Sequence, residues 1–441
     1  MGLSLSWSIM KQVYTITMIH HFGNSLGEDQ TMSATKKYDR LRLVLLLGAF
    51  SALGPLTIDM YLPSFPQITA DFGTQASLVQ LSLTACLIGL GLGQIIMGPL
   101  SDVHGRRKPV IISLIFYLVA SFVCAISPNI YWFIAARFVQ GFAASAGIVI
   151  SRAIVRDVYS GTELTKFFSM LMLVNNLFPM IAPMAGSGVI SFTTWVGVFF
   201  VLGIVGLLLV ILATMNLKET LPAQNRVSGN FGELLAGIQA LLKDRQFIGY
   251  ALAQGIMIGG VFAYVSGTPF VYQNIYGASP QLFALLFASN GISLIIGSQV
   301  VGRFSKAFSE RKFVILGLLL SCTASFAALL VILLHGPLLA LVIPLFFFVA
   351  SIGMTATASF VLAMGSQSQR AGSASALLGL LPFVIGACTS PLVGVAGENS
   401  AVPMGIIILS TSLLALFAFF GLAQKSRIKL TNNHIASKVS R

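Results

Sequence analysis

Residues 76–127 read ASLVQLSLTACLIGLGLGQIIMGPLSDVHGRRKPVIISLIFYLVASFVCAIS: an apolar run, a short polar and basic link, and a second apolar run. The first run covers 76–99 and the second 108–127. Each is about the ~20 residues that a helix, rising ~1.5 Å per residue, needs to cross the ~30 Å hydrocarbon core of a bilayer. Neither run alternates apolar and polar residues with a period of two, as barrel strands do. Continuous apolarity over that length calls for helices, whose backbone satisfies its own hydrogen bonds in lipid.

Working outward from this stretch, similar runs recur at 41–65, 130–151, 166–190, 195–217, 246–272, 281–302, 313–334, 337–363, 371–396 and 402–423, which makes twelve spans. Composition agrees, since 56% of the 441 residues are hydrophobic and only 9% are charged. A soluble domain carries roughly 25% charged residues, so an ordinary soluble enzyme is excluded. Cys86, Cys124, Cys322 and Cys388 all fall inside apolar runs without metal-ligand spacing, and read as small buried hydrophobes. No metal site is expected.

The net charge of +13 is distributed by link. Lys and Arg gather after even-numbered spans, as in Arg106, Arg107, Lys108, Arg152, Arg156, Lys218, Arg303, Lys306, Arg311, Lys312 and Arg370, and at the two ends of the chain. Links after odd-numbered spans carry none. By the positive-inside rule, both termini and the even-numbered links are cytoplasmic, and the charge reports topology rather than nucleic-acid binding. The link from Lys218 to Gln246 is the longest polar interior stretch and divides the spans six and six. The expected organisation is an N-terminal cytoplasmic tail over 1–37, a six-helix bundle over 38–217, a linker over 218–245, a second six-helix bundle over 246–424 and a basic tail over 425–441. The halves share little sequence beyond a basic link after the second span of each. Met1-Gly2-Leu3-Ser4-Leu5-Ser6 fits the loose myristoylation pattern, against the simpler readings of a frayed tail or of a start at Met32.

Polar side chains are costly in lipid, so their placement marks helices with a face on protein or water. Spans 3, 6, 9 and 12 hold no internal charge, Asn or Gln, whereas spans 1, 2, 4, 5, 7 and 8 hold Asp59, Gln80, Gln94, Arg137, Gln140, Asn175, Asn176, Gln254, Asn290 and Gln299. A water-accessible interior is expected, lined by the second group and by spans 10 and 11, which are rich in small and helix-loosening residues such as Gly353, Thr355, Thr357, Pro382, Gly386 and Pro391. Asp59 and Arg137 are the two ionisable residues deep in spans. Each lies about 11 Å below the outer end of its helix at ~1.5 Å per residue, so the two are expected to meet. Desolvation favours a neutral carboxyl and a nearby Arg the ionised one; a group poised between them exchanges a proton as access changes, while Arg stays charged. Small residues four apart, such as Gly89 with Gly93 and Gly255 with Gly259, permit close helix packing and carry no function by themselves.

The link Gly98-Pro99-Leu100-Ser101-Asp102-Val103-His104-Gly105-Arg106-Arg107-Lys108 resembles the G-x-L-A-D-x-x-G-R-K signature of the major facilitator superfamily, with Ser101 where Ala is usual. Arg137-Phe138-Val139-Gln140-Gly141 resembles that superfamily's span 4 motif. Ala182-Pro183-Met184-Ala185-Gly186 is similar to the span 5 motif of its antiporters, with Ala182 for the usual Gly and Ser187 for the final one. Thr57-Ile58-Asp59-Met60-Tyr61-Leu62-Pro63, Arg156-Asp157-Val158-Tyr159, Glu219-Thr220-Leu221-Pro222 and Ala371-Gly372-Ser373-Ala374-Ser375-Ala376 resemble the bicyclomycin and chloramphenicol resistance (Bcr/CflA) drug:proton antiporters. The resemblance implies the major facilitator fold, an all-α integral membrane protein of twelve helices in two six-helix bundles. It implies proton coupling at Asp59 and Arg137, and a gating loop built on Gly98, Asp102, Gly105, Arg106 and Arg107. In that loop Asp102 would face the N-terminus of a neighbouring helix, and an Arg would pair with an acid across the cytoplasmic face. Gln140, Gly141, Pro183 and Gly186 would complete the span 4 and 5 motifs, with Pro183 and Gly186 bending span 5.

Polarity and span number select Asn175, Asn176, Phe262, Tyr264, Asn290 and Phe383 as cavity residues. No P-loop and no HExxH motif is present, so an ATP-driven pump or a metalloprotease is not expected. The expected function is export of hydrophobic or amphipathic small molecules in exchange for protons, in the cell membrane, with no cofactor and no obligate protein partner. The alternative is a proton-coupled carrier of one metabolite, a nucleoside or sugar, with uptake among its directions. Fold analogy does not decide between them.

Overall fold

The computed structural model describes residues 34–226, 231–365, 367 and 371–423. The amino-terminal segment with its myristoylation-like start, Arg370 and the basic tail from Lys425 lie outside the described residues. By its contacts the chain divides after Leu45; the first part is helical from Ala34, and Leu46–Arg441 holds the architecture that follows.

Among the described residues, twelve helices are long and apolar enough to cross a membrane. They are span 1 (Arg42–Asp71), span 2 (Ala76–His104), span 3 (Arg107–Ala125), span 4 (Ile130–Val158), span 5 (Lys166–Ile190) and span 6 (Trp195–Asn216). Span 7 (Arg245–Ile275), span 8 (Pro280–Phe304), span 9 (Glu310–Leu333), span 10 (Leu338–Gly365), span 11 (Gly372–Gly394) and span 12 (Val402–Ala423) follow. The linker between spans 6 and 7 carries its own amphipathic helix, Phe231–Lys243, with Leu241 buried.

Local chemistry sets the ends. The Asn129 side chain accepts from the N–H groups of Tyr131 and Trp132, both at 3.1 Å, and starts span 4. Asp244 does the same for span 7 through Gln246 (2.9 Å) and Phe247 (3.2 Å). Each cap satisfies donors that the first helical turn leaves open.

Packing follows one scheme in both halves. Spans 2 and 4 touch backbone to backbone, with Gly89 against the Phe138 carbonyl and Gly141 against the Cys86 carbonyl; spans 8 and 10 do so through Gly297 against Ala350 and Gly353 against Leu294. Spans 3 and 6 meet at Gly203 and Phe122, and spans 9 and 12 at Ser321 and Ser412, whose hydroxyls lie 2.6 Å apart. Spans 3, 6, 9 and 12 each turn a stripe of large apolar residues outward, for example Ile112, Ile115, Phe116 and Val119 on span 3. That placement suits helices facing lipid.

Span 5 stays helical through Pro179 and Pro183 from Gly161 to Ile190. The break lies in span 1, whose α-helix stops at Asp59, passes a turn and the short 3₁₀ stretch Leu62–Ser64, and resumes at Phe65. The cysteines also divide: Cys86 and Cys124 are buried as expected, Cys322 is partly exposed and Cys388 is exposed.

The links after even-numbered spans define a basic face and the others a far face. Contacts between the two sets of six helices run from the far face to mid-span. Gln273 donates to the Pro63 carbonyl (3.2 Å), Gln80 to the Ser266 carbonyl (3.1 Å) and Thr84 to the Ala387 carbonyl (3.4 Å). Phe65 packs on Phe270, with ring centroids 5.8 Å apart. Deeper in, Gly91 lies against Leu380 and Gly291 against Met180.

Candidate functional site

Three groups of residues make up the site. The first is a buried polar network in the N-terminal half, centred on Arg137, which has no solvent exposure. One guanidinium nitrogen donates to the Thr57 carbonyl (2.8 Å) and the other to the Gln140 side-chain oxygen. The Gln140 amide passes a hydrogen bond to Ser121 (2.8 Å), and the Thr57 hydroxyl bridges the Leu53 carbonyl (2.5 Å) and the Tyr117 hydroxyl (3.0 Å). The guanidinium lies over the Tyr61 ring, 4.2 Å from its centroid, and 5.6 Å from that of Phe199. Phe133 stands edge-on to Phe199 at 5.2 Å and to Trp195 at 5.5 Å, which closes an aromatic wall around the cation. Arg137 thus caps the C-terminal end of the broken helix, where the helix dipole is negative and carbonyls lack partners.

Asp59 is the last residue of that helix and is 5% exposed. The expected meeting with Arg137 does not occur: no hydrogen bond or ion pair joins them; two guanidinium nitrogens turn to Thr57 and Gln140, and the Nε is buried without a partner. Asp59 is twelve residues before the end of the span at Asp71, deeper than an end near Gln67 implies. It sits instead between the halves, within electrostatic reach of Tyr264 on span 7 and Cys86 on span 2. Span 5 holds the break in place. Gly186 lies so close to Met60 that an added Cβ would collide with the Met60 carbonyl, whereas one on Gly188 would meet nothing within 4 Å. Gly186→Ala is therefore expected to displace the Asp59 break, costing about 1–3 kcal/mol by overpacking, with lower turnover; Gly188→Ala leaves both unchanged. Thermal unfolding and transport rate of the two variants check this.

The second group lies in the C-terminal half. The Asn290 amide donates to the Tyr264 hydroxyl (2.8 Å), and the Tyr264 ring stacks on Phe287 with centroids 5.6 Å apart. Phe262 packs on Phe383 at 5.8 Å, so four of the six expected cavity residues are drawn into two contacts. Asn175 and Asn176 remain partly exposed on span 5, where the Asn175 amide donates to its own helix at Leu171 (3.0 Å). The Asn290 and Gln254 side-chain oxygens and the Tyr272 hydroxyl are buried without partners. Such atoms are rare in folded proteins and leave hydrogen-bonding capacity for water or a ligand.

The third group is the link between spans 2 and 3. Arg106, almost fully buried, binds Asp102 (2.5 Å), Asp157 (2.8 Å) and the Ser101 hydroxyl (2.7 Å). Glu219 accepts from the backbone N–H groups of Arg106 (2.7 Å) and Arg107 (3.2 Å) at the start of span 3. Gly105, at φ +84°, makes the turn, and a Cβ there would strike the Glu219 carboxylate. The charge-to-helix contact expected of Asp102 is therefore made by Glu219. Asp102 keeps 41% of its side chain exposed, and Arg106 pairs within its own half rather than across the face. Arg107 reaches the Thr214 carbonyl (2.7 Å) at the end of span 6. Gly98 lies against Val149 of span 4.

Glu219 also carries a pH dependence. Burial pushes its carboxyl up, but the N–H donors of Arg106, Leu221 and Arg107 and the charge of Arg226 outweigh burial and hold it below the usual glutamate range. A group depressed in the folded state stabilises above its unfolded value and loses that contribution as pH falls through the folded one. Acidification below the usual glutamate range should therefore loosen this link, and Glu219→Gln should flatten that part of a stability-against-pH curve. Thermal unfolding of both proteins across acidic pH checks it.

Asp157, Glu219, Tyr61, Tyr117, Thr57 and Ser121 were not singled out for these roles. Asp157 and Glu219 fall within family-like stretches, which was the available signal. Nothing in the sequence marks Tyr117 or Ser121.

Apolar helices enclosing a buried carboxylate, a buried cation and unpartnered polar atoms define a multi-pass membrane transporter. A family model for the Major Facilitator Superfamily matches residues 45–391. The chain is 52% identical over 389 residues to the "uncharacterized MFS-type transporter YdgK" of Bacillus subtilis, covering 88% of this chain and 96% of that one. It is 30% identical to the bicyclomycin resistance protein homolog of Haemophilus influenzae, covering 87% and 96%. It is 31% identical to a chloramphenicol resistance protein of Pseudomonas aeruginosa, covering 67% and 69%. The crystal structure of a bacterial homolog of the human lysosomal transporter Spinster, inward-facing and unoccupied, shares the fold with a TM-score of 0.71 at 14% identity, over 90% of this chain and 98% of that one. The chain belongs to the Major Facilitator Superfamily, in its Bcr/CflA-like family, and is a transporter rather than an enzyme.

Proposed function

We propose that the protein exports hydrophobic or amphipathic small molecules across the cell membrane in exchange for protons, with its basic face and both termini in the cytoplasm. The observation that carries this reading is Asp59: a buried carboxylate without a hydrogen-bond or ion-pair partner, at a helix break between the two halves. Burying a charge unpaired is costly, so such a group is sensitive to whether water or substrate reaches it. Protonation of Asp59 and occupancy by substrate then favour different states of one cavity, which is the condition for coupling. Arg137 acts by holding the break. Asp102, exposed in this arrangement, meets the other half when the basic face closes, while Arg106 and Glu219 hold its link rigid. The relatives named for bicyclomycin and chloramphenicol resistance support drug-like substrates. The proton gradient is the energy source, no cofactor takes part, and the protein works as a monomer.

Energised inside-out vesicles carrying the protein should accumulate labelled chloramphenicol, and a protonophore should abolish the accumulation. Accumulation of labelled uridine or xylose with no response to chloramphenicol would replace this reading with a single-metabolite carrier.

A further inference from the structure

The basic end of the N-terminal half has more cations than its carboxylates serve. Asp102 and Asp157 are engaged by Arg106, and Glu219 by backbone N–H groups and by Arg226 at 3.9 Å. Arg152, inside span 4, forms no hydrogen bond or ion pair with any described residue, and its Nε is buried without a partner. The charged group acting on it is a second cation, Arg156, one turn nearer the basic face. A cation left unpaired within a membrane span is expensive and marks a pathway or a binding site.

Helical register fixes where Arg152 points. Ile148 and Ser151 of span 4 touch span 1 at Gly54 and at the Leu47 carbonyl (3.1 Å), and Val149 touches span 2 at Gly98. On a helical wheel of 100° per residue, Arg152 falls between those two directions, facing the groove bounded by spans 1, 2 and 4. Phe142, Val149 and Arg152 lie along one stripe that is only partly buried, while most of its neighbours are fully buried. The stripe ends at the exposed Arg156.

We propose that Arg152 and Arg156 form an anion subsite in this groove, reached from the basic face, which takes the carboxylate, sulfonate or phosphate of substrates that carry one beside their apolar body. This rests on the reading of the chain as a small-molecule exporter and adds amphipathic acids to the neutral molecules of that reading. The planar guanidinium of Arg152 suits such a group through paired hydrogen bonds, and Arg156 supplies attraction at the mouth. Asp59 lies farther along span 1, so a bound acid leaves the proton-exchanging carboxylate separate.

The test reads Arg152 itself. Protein in lipid nanodiscs is treated with phenylglyoxal, and modification of each arginine is followed by peptide mass spectrometry with p-toluenesulfonate or the neutral methyl p-tolyl sulfone present. Toluenesulfonate should slow modification of Arg152 at least ~5-fold while leaving the exposed Arg303 unchanged, and the sulfone should slow neither. Titration calorimetry should show toluenesulfonate binding lost at least ~10-fold in Arg152→Gln and only partly retained in Arg152→Lys, which keeps the charge without the fork, with both variants eluting as folded protein. Arg152 that does not react at all, or reacts equally fast with and without the sulfonate, overturns the subsite. Because nothing is transported in this assay, that failure is distinct from a failure of drug accumulation in vesicles.

Discussion

Asp59→Asn should uncouple the transporter while leaving it folded and able to exchange substrate. Asparagine has the size of aspartate and stays neutral, so the contact between Met60 and Gly186 survives and the side chain mimics a permanently protonated state. Coupling needs protonation and substrate to favour different states, and a side chain that cannot lose a proton supplies no such difference. One proton per substrate gives ~1.4 kcal/mol, or about tenfold accumulation, for each unit of pH gradient. In proteoliposomes the variant should therefore fall from that ratio to about one, while exchange of labelled for unlabelled drug continues. Retained gradient-driven accumulation would remove Asp59 from the coupling path.

Arg137→Ala should be the most destabilising single change in the site. It leaves the Thr57 carbonyl at the broken helix end buried without a donor and the Gln140 side-chain oxygen with only the Cys124 thiol at 4.0 Å, and empties the space over the Tyr61 ring. Each buried acceptor left unsatisfied costs about 1–3 kcal/mol, since it keeps its desolvation penalty. The variant should unfold at a markedly lower temperature in detergent and reach the membrane in smaller amounts. Arg137→Lys should recover only part of the loss, because an ammonium lacks the planar fork that reaches two acceptors while stacking on a ring. An Arg137→Ala protein as stable as wild type would show that the break in span 1 does not depend on this cap.

The twelve helices were legible because apolar length and the alternation of basic links are each strong signals, and they agree. The similarity of the two halves was not legible. It resides in backbone approaches, such as Gly141 on Cys86 and Gly353 on Leu294, which need a small residue at a given depth and not a matching sequence. For the site, residue type and depth identified Asp59 and Arg137 but not their relation. Two opposite charges at similar depth invite pairing; the helix break, marked in sequence by Pro63 and Pro66, offers Arg137 unpaired carbonyls instead. The cap that Glu219 places on the start of span 3 was not legible for a similar reason, since Glu219 lies 113 residues beyond the N–H it caps.

In the proposed exporter, drug movement and proton movement are obligatorily linked through Asp59. The most direct test of that link is a respiration-generated pH gradient in inside-out vesicles, followed with a fluorescent pH probe as bicyclomycin, chloramphenicol, a cationic dye or a nucleoside is added. The account predicts that bicyclomycin or chloramphenicol partly collapses the gradient in wild-type vesicles and leaves it intact in Asp59→Asn vesicles. Drug accumulation with no collapse, or the same collapse in both, would contradict it.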